Sequence, residues 1–129
     1  MNVNEMNNGD VFIAYVHFSE KDGGKVRPVV IFEDPEEKKM FACKVSSQVD
    51  KPIKQRLGYV LQDWKEAGFK KPSVVACDRE NIREIDTNTV HKFVGRLTEN
   101  DIKGLLIKHI KVAQQEYKKD LEKKNEIER

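Results

Sequence analysis

The chain has 129 residues, 38% of them hydrophobic and 36% charged, with a net charge of +2 at neutral pH. That is enough for one hydrophobic core and not for two. No apolar stretch nears the ~20 residues a membrane helix needs. The start Met1-Asn2-Val3-Asn4-Glu5 lacks the basic and apolar regions of a signal peptide, so a cytoplasmic protein with no membrane partner is expected.

The charge is unevenly spread. Residues 1–37 carry three basic against eight acidic side chains, and residues 38–71 carry nine basic against three acidic. The second stretch, with Lys51, Lys54, Arg56, Lys65, Lys70 and Lys71, forms a basic patch suited to phosphate, although loop lysines often do no more than stay solvated. Cys43 and Cys77 sit inside apolar runs with neither His nor a second Cys at metal-ligand spacing. They read as buried thiols, and no metal or other cofactor is expected.

In chain order, short runs rich in Val, Ile, Phe and Tyr predict strands at Val11 to Phe18, Arg27 to Glu33, Lys39 to Ser46, Gly58 to Leu61, Ser73 to Asp78 and Val90 to Leu97. Gly23-Gly24, Asp34-Pro35-Glu36-Glu37 and Pro52 mark connections between them. Asp63 to Gly68 reads as one or two helical turns ended by glycine, with Trp64 plugging one end of the core. Thr98-Glu99-Asn100-Asp101 supplies an N-cap hydroxyl and first-turn acids. Ile102, Leu105, Leu106, Ile110, Ala113 and Tyr117 then recur at helical spacing, predicting a long C-terminal helix. Several short strands at this spacing point to a small barrel, a mainly β fold with helices.

Arg27-Pro28 lies where the polar loop from Ser19 to Val26 meets the apolar run Val29-Val30-Ile31-Phe32. A cation at the mouth of a buried strand, beside a loop able to close, suits an anionic ligand, and Arg27 is expected at the surface. One strand later, Lys44-Val45-Ser46-Ser47-Gln48 brings hydroxyl and amide donors to a strand end. Of the histidines, His91 and His109 read as boundary or surface residues. His17, near the loop, is the one worth testing as an acid or base.

Five ordered segments together resemble the MazF/PemK family of toxins: Gly9-Asp10-Val11, Gly23 to Ile31, Lys44 to Gln48, Lys71 to Val75 and Ile82 to Asp86, followed by Val94-Gly95-Arg96-Leu97-Thr98. The resemblance implies an SH3-like small β-barrel over residues 1–111, with 112–129 a charged helical extension. It also implies a homodimer that binds single-stranded RNA, a cognate antitoxin, and a metal-independent endoribonuclease. In that chemistry the ribose 2′-OH attacks the adjacent phosphorus, leaving a 2′,3′-cyclic phosphate and a 5′-OH.

By motif, Arg27 takes the place of the family's catalytic arginine and Ser46 that of its usual threonine, with Ser47 or Gln48 assisting and Asp78 in support; His17 joins the supporting residues only for its position near the loop. Lys21, Lys25, Lys51, Lys54 and Arg56 are the expected RNA-binding cations. Two positions depart from relatives. Ala76 stands where PemK-type members carry an arginine, and a histidine found in the loop of some relatives falls at Asp22 here. Two other classes compete with this reading: a noncatalytic RNA- or protein-binding module, which Ala76 keeps open, and a CcdB-like gyrase poison. The second is disfavoured because the chain ends Asn125-Glu126-Ile127-Glu128-Arg129, without the apolar tip such poisons use.

Overall fold

A computed structural model describes residues 5–19, 21 and 23–128. Asp22, at the loop position where some relatives carry histidine, lies outside the described residues. Among the described residues the strands and α-helices follow one another as β1 (Asp10–Val16), β2 (Lys25–Glu33), β3 (Met40–Ser46), α1 (Pro52–Leu57), β4 (Gly58–Val60), β5 (Val74–Ala76), β6 (Ile82–Glu84), β7 (Val90–Arg96) and α2 (Glu99–Glu128). The sheet runs β4-β5-β3-β2-β1-β7, with β6 pairing the first half of β3. Every pairing among the described strands is antiparallel. The sheet does not close: β4 and β7 are its two ends, so the expected barrel is an open, curled sheet.

Strands β1 to β3 are covered on both faces, which is why Val29 to Phe32 is a continuous apolar run and not an alternating one. Val11, Val30, Phe32 and Cys43 join Leu61, Ala67, Val75, Cys77, Leu97, Leu105 and Val112 in the core beneath α2. Phe12, Ala14, Val29, Ile31 and Ala42 face the other way and form a second cluster, closed by Met6, Phe18 and Ile85. Trp64 packs from the side against the first cluster, as expected of a plug. The Asp63 to Gly68 segment is an irregular turn held by Ala67 N donating to Asp63 O and Phe69 N to Trp64 O. Gly68 closes it at φ +98°, a conformation that favours glycine.

The sequence pattern missed two elements. Pro52 begins α1 and does not merely interrupt, because proline at the first helical position lacks only an N–H that would have no intrahelical partner. Strand β6 is three residues long and shows no hydrophobic period. The buried side of α2 is also rotated from the expected stripe: Asp101, Leu105 and Val112 are buried, whereas Ile110, Ala113 and Tyr117 are exposed.

Asp101 fixes how α2 meets the sheet. Its carboxylate is wholly buried and accepts from Tyr59 Oη at 2.7 Å, Gln62 N at 3.1 Å and Asp63 N at 2.9 Å. Thr98 caps the helix by accepting from Asp101 N and donates its own proton to Asp63 Oδ2. Gly104 lets the Tyr59 ring come close, since a Cβ there would stand 2.4 Å from it. Burial, and then the Asp101 carboxylate, push the Tyr59 phenol well above its ordinary value.

This packing sets the cost of two substitutions. Asp101→Ala leaves three donors without their acceptor and should cost about 3–5 kcal/mol in urea unfolding, against about 1–2 kcal/mol for Tyr59→Phe. His109, stacked 4.2 Å from Phe32, has its pKa lowered by burial, with Asp34 partly opposing. Above its unfolded value of 6.5 the ring is neutral in both states; below it the unfolded chain takes up a proton that the folded chain resists. Stability should therefore fall as pH drops from 7 to 5, and His109→Gln should flatten that slope.

Candidate functional site

Arg27 enters β2 opposite Ala14 of β1. On its other side the last β2–β3 pair is Val29 with Lys44, and continuing that register by two residues sets Ser46 level with Arg27. By the two-residue period of a strand, Arg27 shares the face of Val29 and Ile31, and Ser46 shares that of Lys44 and Ala42. The two motif residues are thus neighbours on one side of the sheet, the side of the second cluster.

Arg27 is not the surface residue expected. Its guanidinium carbon lies 5.6 Å from the centre of the Phe18 ring, and Nε and Nη2 are buried. Packing on an aromatic face holds a planar cation in one orientation. Phe18 is itself fixed, because Arg83 donates to its carbonyl and also to those of Arg79 and Ile82. Arg83 therefore ties the foot of the 17–24 loop to the segment leading into β6.

Ser46 Oγ accepts from Gln48 N at 3.1 Å, which turns the chain out of β3 and leaves the hydroxyl proton to donate elsewhere. Beside it opens a cleft of about 80 Å³. Lys44 and Ser46 form one wall, Ile53, Lys54 and Leu57 of α1 another, and Ala76, Asp78 and Asn81 a third. Asp78 is buried, and one of its oxygens accepts from Asn81 Nδ2 at 2.7 Å. The cleft thus combines two ammonium groups, a hydroxyl, an amide and a carboxylate.

Of the residues expected to act together, Ser46, Lys54 and Asp78 line this cleft, and Arg27 stands beside it across the β2–β3 boundary. Ser47 and Gln48 are exposed on the turn after β3. Lys21, Lys25, Lys51 and Arg56 are exposed, on the loop before β2, at the start of β2 and on or beside α1. His17 lies elsewhere, in a recess with Tyr15, Arg83, Glu84 and Asp86. Lys44 and Asn81 were not singled out as site residues. The signal for Lys44 is its position two residues before Ser46, hence on the same face; nothing in the sequence flags Asn81.

A larger recess of about 370 Å³ lies under α2, between Phe32, Phe41, Ile82, His109 and Tyr117. Its arginine, Arg79, is committed to Asp120 through paired bonds of 2.7 and 2.8 Å, so this recess offers less to an anion than the smaller cleft.

An open antiparallel sheet with a long C-terminal helix is the arrangement of a MazF-like fold. The profile described as "PemK-like, MazF-like toxin of type II toxin-antitoxin system" matches residues 7–111. The chain belongs to that family. Among solved structures it is similar to "Mycobacterium tuberculosis toxin MazF-mt6", with a TM-score of 0.59 and 19% identity, covering 81% of this chain and 96% of that one. Comparison by sequence with curated proteins gives no match. The expected resemblance and fold are therefore borne out. Among the described residues no helix is long and apolar enough to cross a membrane.

Cys43 and Cys77 flank the region from the core side. Burial raises both thiols, that of Cys77 to about 12, so neither supplies a thiolate nucleophile near neutrality. Iodoacetamide should label neither cysteine in the native protein and both after denaturation, as read by intact mass.

Proposed function

We propose that this toxin-family chain is an endoribonuclease that cuts single-stranded RNA without a metal and is restrained by a cognate antitoxin. The observation that carries the reading is the placement of Arg27 and Ser46 on one sheet face, beside a cleft holding Lys44, Lys54 and a buried carboxylate. The guanidinium of Arg27 offsets the charge of the pentacoordinate phosphorus, and Ser46 donates to a nonbridging oxygen.

Asp78 is the carboxylate lining the cleft and is assigned to accept the 2′-OH proton. The 2′ oxygen then forms its bond to phosphorus as the bond to the 5′ oxygen breaks, and that oxygen takes a proton from solvent. The products are a 2′,3′-cyclic phosphate and a 5′-OH. DNA lacks the nucleophile and should not be cut. Side chains supply the charge compensation in every step, so the reaction as drawn calls on no metal.

The protein is further proposed to work as a cytoplasmic homodimer, with an acidic antitoxin segment competing with RNA for the basic rim from Lys51 to Lys71.

The test is incubation of the purified protein with a long single-stranded RNA in EDTA, followed by mapping of fragment ends. Discrete fragments with 5′-OH ends are expected. Arg27→Ala and Ser46→Ala should each slow cleavage by about 10² to 10³. Intact RNA with folded wild-type protein, or unchanged cutting by Arg27→Ala, would overturn the assignment. RNA binding without turnover, unaffected by either substitution, would select a noncatalytic module.

A further inference from the structure

The cleft beside Ser46, of about 80 Å³ and open to solvent, is lined by groups that suit an anion. The lining brings together the ammonium groups of Lys44 and Lys54, the Ser46 hydroxyl, the Asn81 amide and the Asp78 carboxylate. Part of the Asp78 charge is taken up by Asn81, which donates to it.

Position adds to composition. Lys44 precedes Ser46 by two residues along β3, so the two side chains leave the same face from Cα atoms about 6.7 Å apart. Arg27 and Ser46 are neighbours across the boundary with β2, and the cleft lies to the far side of Ser46, toward α1 and β5. An RNA strand whose reacting phosphate sits between Arg27 and Ser46 would carry its neighbouring phosphate over this opening.

We propose that the cleft walled by Lys44, Lys54 and Asn81 is a second phosphate subsite, which grips the internucleotide phosphate adjacent to the one cleaved. Lys44 is its defining residue, because it alone of these cations projects from the strand that carries Ser46. The proposal rests on the ribonuclease reading for the identity of the strand, and on the cleft itself for the subsite. Its consequence is a fixed register: the two phosphates are held one step apart, so the 2′-OH between them is held in line with the phosphorus it attacks.

The experiment measures binding, so that it stands apart from catalysis. A short single-stranded RNA carrying one 2′-deoxy position at the mapped cleavage point is scanned with a neutral methylphosphonate at each phosphate in turn. Affinities are read by fluorescence anisotropy for wild type, Lys44→Ala and Lys44→Arg. In wild type, neutralising the phosphate next to the cleavage point should weaken binding about tenfold. In Lys44→Ala that penalty should vanish, and the slope of log affinity against log salt should shrink by about 0.7. Lys44→Arg should keep most of both effects and shows that the site tolerates substitution.

Equal methylphosphonate penalties in wild type and Lys44→Ala overturn the subsite, as does loss of the penalty in Lys44→Arg together with retained folding. Inorganic phosphate that protects the cleft from Lys44 acetylation, with no position of the RNA scan sensitive to Lys44, also overturns it by identifying a free-anion site. If no cleavage point is found, the same methylphosphonate scan is run on the all-ribose RNA; a Lys44-dependent penalty at one phosphate of that uncut strand would overturn the ribonuclease reading and leave the subsite in place.

Discussion

The carboxylate of Asp101 is the point on which the rest of this molecule is assembled. A buried charge is tolerated only where its surroundings replace the water it has lost, and here three donors from β4 and the turn after it do so. The turn so gripped carries Leu61 and Trp64, which close one end of the main core. β4 pairs with β5, and β5 with the end of β3, so the position of Ser46 is inherited from the docking of α2. Helix, core and chemistry are coupled through one side chain that touches no proposed ligand.

The two faces of the sheet do different work. Under α2 the packing is deep, with Val11, Val30, Val75 and Val112 wholly withdrawn from solvent. The other face carries a thinner cluster, and it is there that Arg27, Lys44 and Ser46 emerge at the strand ends. A polar site on the thick face would cut into the core that supports it, whereas on the thin face Phe18 supplies both a lid for the cluster and a platform for Arg27. The same aromatic ring thus finishes the packing and begins the site.

Much of this was legible in the residues, and the exceptions have physical causes. Strong local signals gave the main strands, the buried cysteines and the start of α2 at Thr98. Signals of pairing alone did not: Ile82 to Glu84 becomes a strand only because the first half of β3 presents an edge to it. Pro52 opens a helix because Ile53 to Leu57 continue it, and proline alone does not distinguish a break from a beginning. On α2 the apolar spacing continues through Ile110 and Tyr117, but only Val112 remains buried at that level, so a period read from sequence overshoots its contact surface. In the site, Arg27 and Ser46 were readable from their motifs and Lys44 from strand alternation. Asn81 was not, since it arrives through the turn after β5 and announces itself only by its bond to Asp78.

The fork between Arg79 and Asp120 is exposed, and it joins the far part of α2 to the residue directly after Asp78. An ion pair in open solvent is weakened by salt far more than the Asp101 anchor at the other end of the same helix. α2 is therefore a beam clamped at its first turn and tethered near its free end by a contact that ionic conditions can loosen. The same salt that leaves the buried end of the helix untouched therefore weakens the hold on Arg79, the neighbour of the cleft-lining Asp78.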